Sequence, residues 1–358
     1  MTNERLSRLR SVLKQRGLEA ILLSHGPNRL YMTGFTGTSG YAIVTGGHAV
    51  LLTDFRYLSQ AAEQASLFTV ERHGERPFAS IAELVRKLGV RELAVESSRL
   101  TMAQARMLQE ELGGNGCVCV ETEDIVEKLR NVKDEGEIAS LREAARIADE
   151  AFFQILPLIR PGTTERRIAA ELEYRIRLLG AECGWPGFIV ASGYRSALPH
   201  GVASTKEIGQ NEFVTLDFGA IVNGYMSDIT RTVFVGKPDE RQRAIYDAVL
   251  VANEKTIRGL RPGMNGKEGD ALGRDVIAER GYGEYFGHGL GHGIGLEIHE
   301  QLRLSRQSDS ILEPGNVLTV EPGVYIPNVE GVRIEDDVLV TSYGVEVLTS
   351  SPKALIGI

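Results

Sequence analysis

Val214-Thr215-Leu216-Asp217-Phe218-Gly219 and Leu318-Thr319-Val320-Glu321-Pro322-Gly323 carry one pattern twice: an apolar run with a threonine, then an acid, then a glycine. Downstream, Gly224 is followed four residues on by Asp228, and Gly331 four residues on by Glu335. Upstream, Arg160-Pro161-Gly162 recurs as Arg261-Pro262-Gly263, with Gly180 and Gly281 at equal distances beyond. Each half therefore reads as helix, turn, helix, then strands holding two acids. A duplicated α+β unit packed about a pseudo-twofold axis places the two acid pairs near each other. Asn223-Gly224 marks a two-residue hairpin loop, because a type I′ turn needs positive φ at both positions. With Val222 opposite Tyr225, Gly219 falls opposite Asp228, and Asp217 shares that face. Asp217 and Asp228 become diagonal neighbours within reach of one ion, and Gly219 leaves room for it. Two acids in an apolar hairpin (Phe213, Val214, Leu216, Ile229, Val233) repel and are costly to desolvate without a cation. A single such pair would ordinarily be a solvated edge; a second pair at Glu321 and Glu335 argues against that.

Between the two acid pairs lies Phe286-Gly-His288-Gly-Leu-Gly-His292-Gly-Ile-Gly-Leu-Glu-Ile-His299-Glu300. Five glycines at alternate positions cannot make a stable helix, so this is not a helical HExxH zinc site. It is backbone that approaches something closely, with histidines held out from it. His200 stands upstream in Leu198-Pro199-His200-Gly201, so four of the seven histidines lie between residues 200 and 299. Four carboxylates with imidazole form a hard, oxygen-rich ligand set. It suits Mn²⁺, Co²⁺, Fe²⁺ or Zn²⁺ rather than a thiolate zinc site. It is enough for two ions, which at about 3.5–4 Å apart can share a hydroxide and polarise a carbonyl.

The remaining sequence sets bounds. The chain has 358 residues, 42% hydrophobic and 25% charged, with a formal net charge of −8; so acidic a chain is a poor nucleic-acid partner. No run approaches the roughly 18 apolar residues of a membrane span. Met1-Thr2-Asn3-Glu4-Arg5 runs straight into a charged amphipathic stretch without an apolar leader segment. Cys117, Cys119 and Cys183 suit a reducing compartment, and Gly-Cys117-Val-Cys119-Val reads as a strand with two small core residues. A cytoplasmic location is expected. The first part alternates helix and strand: a helix over 4–16, a strand over 20–23, and a hairpin of 41–45 and 48–53 around Gly46-Gly47. Further segments follow at 55–66, 67–72, 78–89, 92–96, 101–112 and 116–121. Gly34, Gly37 and Gly40 lack a following Lys-Ser/Thr and read as a turn-rich connection, not a phosphate loop. Charged text over 122–134 marks a boundary, giving an α/β domain of 1–128 and a larger domain of 129–358 that opens on a helix over 135–157.

At these residues the sequence resembles the pita-bread metallopeptidases: prolidase, aminopeptidase P and, more distantly, methionine aminopeptidase. Tyr31-Met-Thr-Gly34-Phe35 and Leu52-Thr-Asp54-Phe-Arg-Tyr57 look like the creatinase-type N-terminal domain. The resemblance implies an α+β fold: a duplicated pita-bread catalytic domain preceded by a smaller α/β domain. It implies that Asp217 binds one ion, that His292 and Glu321 bind the second, and that Asp228 and Glu335 bridge both. A bridging hydroxide would attack the scissile carbonyl, with Glu321 shuttling the proton. His200 and His299 match the histidines that support the tetrahedral intermediate and the leaving nitrogen. His288 and Arg333 match positions that face the substrate or brace the ligands; a charge partner for a ligand is an equally good reading of Arg333.

The implied activity is hydrolysis of an Xaa-Pro bond with two divalent ions, manganese first and cobalt, zinc or iron as alternatives. Xaa-Pro dipeptidase leads, and an aminopeptidase acting on longer peptides is the alternative. A metal-free creatinase-like hydrolase or a non-catalytic scaffold is remote, because no ligand position is lost. A dipeptidase needs a cation for the substrate's C-terminal carboxylate, and Arg303 or Arg306 could supply it. Expected partners are short proline-containing peptides and a second copy of the chain in a homodimer, with no nucleic acid and no membrane.

Overall fold

Ala20–Leu23 is four apolar residues with no face left for water, and the strand it forms is buried along its whole length. In the computed structural model, which describes residues 3–114 and 116–358, this strand is central in a six-stranded sheet. The order is Thr69–Arg72, Ala49–Thr53, Tyr41–Thr45, Ala20–Leu23, Glu92–Glu96, Val118–Thr122. Only the pairings around Tyr41–Thr45 are antiparallel; the others are parallel. Helices Pro77–Lys87 and Met102–Gly113 contribute Ile81, Leu84, Val85, Leu108 and Leu112 to a core with Leu22, Ile43, Leu93 and Val95. Cys117 is buried there and Cys119 packs against it.

Two helices of this unit depart from the sequence reading. Gly26–Thr33 is a helix in a segment to which the sequence reading assigns no element; its Pro27 is well suited to a first helical turn. Ile125–Asn131 lies within the charged stretch that marks the domain boundary in the sequence. Both carry a buried polar network that masks helical periodicity. Asn28 donates to Glu96 and Glu127, and Arg130 donates to Asn28. The chain divides into two compact units, Met1–Arg130 and Asn131–Ile358.

The second unit is built twice over. Helices Glu135–Ile155 and Glu165–Leu178 recur as Glu240–Gly259 and Gly266–Glu279. The turn glycines match: Gly162 and Gly263 have φ of 83° and 88°, and Gly180 and Gly281 of 106° and 84°, the left-handed conformations that glycine favours. Gly162 donates to Ile208 O and Gly263 to Leu312 O at equivalent places. In the first half, Glu212–Phe218 lies between Ile229–Val235 and Ile189–Ser192. In the second, Val317–Val320 lies between Gly291–Gly293 and Asp336–Val340. The first core gathers Phe152, Leu172, Leu216 and Val233, and the second Phe213, Tyr246, Leu318 and Val332. Among the described residues, no helix is long and apolar enough to cross a membrane.

The first acid hairpin has the expected register. Val222 pairs with Tyr225 across Asn223 (φ 51°) and Gly224 (φ 79°), and Asp217 pairs with Thr230, two residues beyond Asp228. The role of Gly219 differs from expectation. Its vacant side-chain position is filled by protein: a Cβ there would lie 1.8 Å from the Ser227 carbonyl oxygen and 2.7 Å from Trp185 Nε1. Gly219 thus permits close packing of the hairpin's own backbone, not an ion. Gly219→Ala should lower stability by about 1–3 kcal/mol, the usual range for overpacking, and weaken metal binding by displacing Asp217 and Asp228. Thermal denaturation with and without metal checks this, and an unchanged midpoint would contradict it.

Candidate metal centre

Strand ends bring the acids together. Asp217 lies next to the end of Glu212–Phe218, Asp228 immediately before Ile229–Val235, Glu321 immediately after Val317–Val320, and Glu335 immediately before Asp336–Val340. His292 is the middle of Gly291–Gly293. That strand lies so close to Val317–Val320 that a Cβ on Gly291 would sit 1.9 Å from Thr319 O. The alternating glycines are therefore what admits His292 to the site. The five expected ligands Asp217, Asp228, His292, Glu321 and Glu335 line one cavity of about 530 Å³ together with His200, His288, His299 and Arg333.

The ligand atoms converge on one place. His292 Nδ1 is 3.1 Å from the Gly293 carbonyl, which only accepts, so Nδ1 carries the hydrogen. Burial, with His299 nearby, pushes His292 down to about 3, so Nε2 presents a lone pair. That lone pair points at carboxylate oxygens, Glu321 Oε1 at 3.4 Å and Asp228 Oδ2 at 3.8 Å. Asp228, His292 and Glu335 each offer a ligand atom within 4.8 Å of the others. Asp228 Oδ1 is buried and has no hydrogen-bond partner among the described residues. Burial and the neighbouring Glu335 and Asp217 hold Asp228 well above the ordinary carboxylate range. Burial and Glu321 do the same to Glu335. Burial pushes Glu321 up to about 7. An arrangement of converging acceptors, disfavoured by its own charge, fits divalent cations.

Each half braces the other's acid. Thr230 Oγ1 donates to Glu335 Oε2 at 2.6 Å, and Asp337 Oδ2 accepts the Asp228 N–H at 2.9 Å. Thr319 Oγ1 accepts the His292 N–H and faces Glu321 Oε1 at 3.4 Å. Arg333, 3% exposed, pairs with Asp217 and donates to Thr230 Oγ1, Pro199 O and Tyr325 Oη. Each of its three nitrogens donates to protein, as a charge partner bracing a ligand. Tyr325 Oη also meets His288 Nε2 at 2.9 Å. Burial and Arg333 lower His288 to about 4, so it is neutral. The His299 ring packs edge-on against His292, centroids 4.3 Å apart. Sequence reasoning missed Thr230, Asp337 and Tyr325. The first two left a signal: each stands two residues beyond an acid, in matching positions of the repeat.

Residues 139–342 match the metallopeptidase family M24, and residues 5–132 match the creatinase/prolidase N-terminal domain. An Xaa-Pro dipeptidase of Pyrococcus horikoshii is 39% identical over 356 residues, 99% of each chain. The structure of an Xaa-Pro dipeptidase from Bacillus anthracis superposes with a TM-score of 0.97 at 48% identity, covering 99% of both chains. That of an X-Pro aminopeptidase from Thermotoga maritima gives 0.91 at 38% identity, covering 99% of this chain and 100% of that one.

Metal uptake should displace protons. With Glu321 at about 7 in the metal-free site, its carboxyl is largely protonated in mildly acidic solution and ionised in mildly alkaline solution. Raised Asp228 and Glu335 act in the same direction. Calorimetric titration between about pH 6 and pH 8.5 in buffers of different ionisation enthalpy should show about one proton or more released per binding event at the acidic end, with release falling and affinity rising as pH increases. Release that is constant across this window would contradict the assignment.

Proposed function

The chain belongs to metallopeptidase family M24 and carries a creatinase/prolidase N-terminal domain, and from that premise we propose that it is an Xaa-Pro dipeptidase. The observation that carries this reading is the composition of the cavity. Five metal-binding groups line it, and Arg303 lines the same space. About 530 Å³ is room for a small peptide. The hydrogen bonds of Arg303 go to the carbonyls of Glu300 and Leu302, all through Nη1. Among the described residues Nε and Nη2 have no hydrogen-bond partner, which leaves them for a carboxylate. Arg306, the other candidate, lines a neighbouring recess with Arg274, Ser305 and Gln307.

Asp217, Asp228, His292, Glu321 and Glu335 would hold divalent ions, manganese first on an oxygen- and nitrogen-only ligand set, with cobalt, zinc or iron as alternatives. One dication balances two carboxylates. Asp217 is already shared with Arg333, so Asp228, Glu321 and Glu335 still outweigh one ion, which supports a pair. Bound divalent ions supply an acidified water and an electrophile for the scissile carbonyl. The remaining work falls to side chains. Glu321 Oε1 is turned to His292, leaving Oε2 to accept and return a proton. His299, held neutral by burial, can donate from its ring to charge developing on the substrate. His200 lines the same cavity.

We extend the reading to short proline-containing peptides as ligands, to a homodimer and to the cytoplasm. The homodimer is supported by exposed Tyr194, Leu198 and Val202 in the loop carrying His200, and light scattering tests it. The cytoplasm is supported by three free cysteines. For the activity, the manganese-loaded protein should cleave an Xaa-Pro dipeptide more efficiently than an Xaa-Pro tripeptide, and chelation should abolish turnover. Arg303→Met should raise KM for the dipeptide roughly 10- to 100-fold, the loss of a charge-assisted bond, with a smaller change in kcat. Preferential cleavage of the tripeptide would instead establish an aminopeptidase.

A further inference from the structure

One buried ion pair lies outside the ligand cluster yet is joined to a cavity residue. Lys133 Nζ is 2.9 Å from Glu300 Oε2, with side chains 2% and 4% exposed. Neither residue has a role in the chemistry derived above. The other oxygen, Glu300 Oε1, accepts the N–H of Leu296 at 3.1 Å. Gly295 makes way for this carboxylate: a Cβ there would lie 2.6 Å from Glu300 Oε1. The Gly295 carbonyl in turn receives the N–H of Met226 at 2.8 Å. Lys133 is itself held, donating its backbone N–H to Gly315 O at 2.8 Å. Residues 295–300 thus form a short loop tied at both ends, and His299 projects from it onto the His292 ring.

Such a pair is a poor source of net stability, because removing both charges from water offsets their attraction, and apolar residues of similar volume often serve as well. What it supplies is direction. The carboxylate has one oxygen on an immobile ammonium and the other on the loop's own backbone, so its position fixes the backbone of Glu300 and of the residue before it. We propose that Lys133 and Glu300 are positioning residues that set the His299 imidazole against the metal-binding face. The proposal rests on the peptidase reading only in giving His299 work to do on the substrate.

The test uses Lys133→Met/Glu300→Leu, which removes both charges together, in the manganese-loaded full chain. Its metal stoichiometry should match the parent and its kcat for an Xaa-Pro dipeptide should fall roughly 10- to 100-fold, as for groups that orient a site residue. In a His299→Ala background the same pair of changes should cost less than about twofold more, the non-additivity of groups acting as one. Gly295→Ala keeps both charges but pushes the carboxylate aside, and it should behave likewise; it carries the test if the double variant does not fold. Losses that multiply with that of His299→Ala, or an unchanged kcat in a folded variant, would overturn the proposal. Ring ¹⁵N spectra of the zinc-loaded protein give a readout without turnover. The His299 signal, assigned by its loss in His299→Ala, should shift while that of His200 stays. If the parent protein cleaves no Xaa-Pro dipeptide, the function reading fails, and the spectra alone decide the role of Lys133 and Glu300.

Discussion

Four carboxylates and a neutral imidazole line one buried cavity, with Asp228, His292 and Glu335 within 4.8 Å of one another, against the mutual repulsion of the acids. Everything else in Asn131–Ile358 works against that repulsion. Burial raises the carboxyls of Asp228 and Glu335, and neighbouring carboxyls add to the effect. A single hairpin could not hold such a group, because the strands would twist the acids outward to water. Two hairpins braced against each other can. Thr230 of the first half grips Glu335 of the second, Asp337 of the second grips the backbone of Asp228, and Glu335 donates its N–H back to Thr230 O. The duplication is therefore more than a trace of ancestry, since each half supplies restraint that the other's acid lacks.

The two halves are not equal. The acids and the turn glycines repeat, but the imidazole and the cation do not. His292 and His288 come from the glycine-rich segment of the second half, and Arg333 from its Glu330–Arg333 strand. The first half contributes acids, Thr230 and the loop bearing His200. That loop is fastened at its base by the buried Glu165, which accepts from Ser192, Arg195 and Ser204. It is fastened near His200 by Arg333, which donates to Pro199 O. Close backbone approach at Gly291 and Gly219 is what makes room for this asymmetry inside a symmetric frame.

Much of this was legible in sequence because it rests on patterns with a short physical cause. The Asn223-Gly224 turn fixes a register, and the register fixes which face Asp217 and Asp228 share. The repeated Arg-Pro-Gly turns and the second acid pair gave the duplication. The alternating glycines excluded a helix and pointed to close packing. What was not legible depends on contacts between distant residues. Asn28, Glu96, Glu127 and Arg130 hide two helices, because a buried polar network carries no apolar period. Tyr325 looks like any strand tyrosine until it meets both His288 and Arg333. Gly219 was read as room for an ion, since a sequence says that a side chain is missing but not what fills the space.

The uneven bracing also bears on which acid handles the proton. Asp217 is paired with Arg333, which ties it in place. Asp228 and Glu335 are 5% and 2% exposed and are gripped from the opposite half. Glu321 is different. Its side chain is 17% exposed, its nearest hydroxyl is a long 3.4 Å away at Thr319, and it stands at about 7. A group that must gain and lose a proton in turnover needs a value near the working pH and freedom to reorganise. The acids that are locked lack that freedom. Among the four, the architecture leaves that freedom to Glu321, because no described residue of the first half donates a hydrogen bond to its side chain.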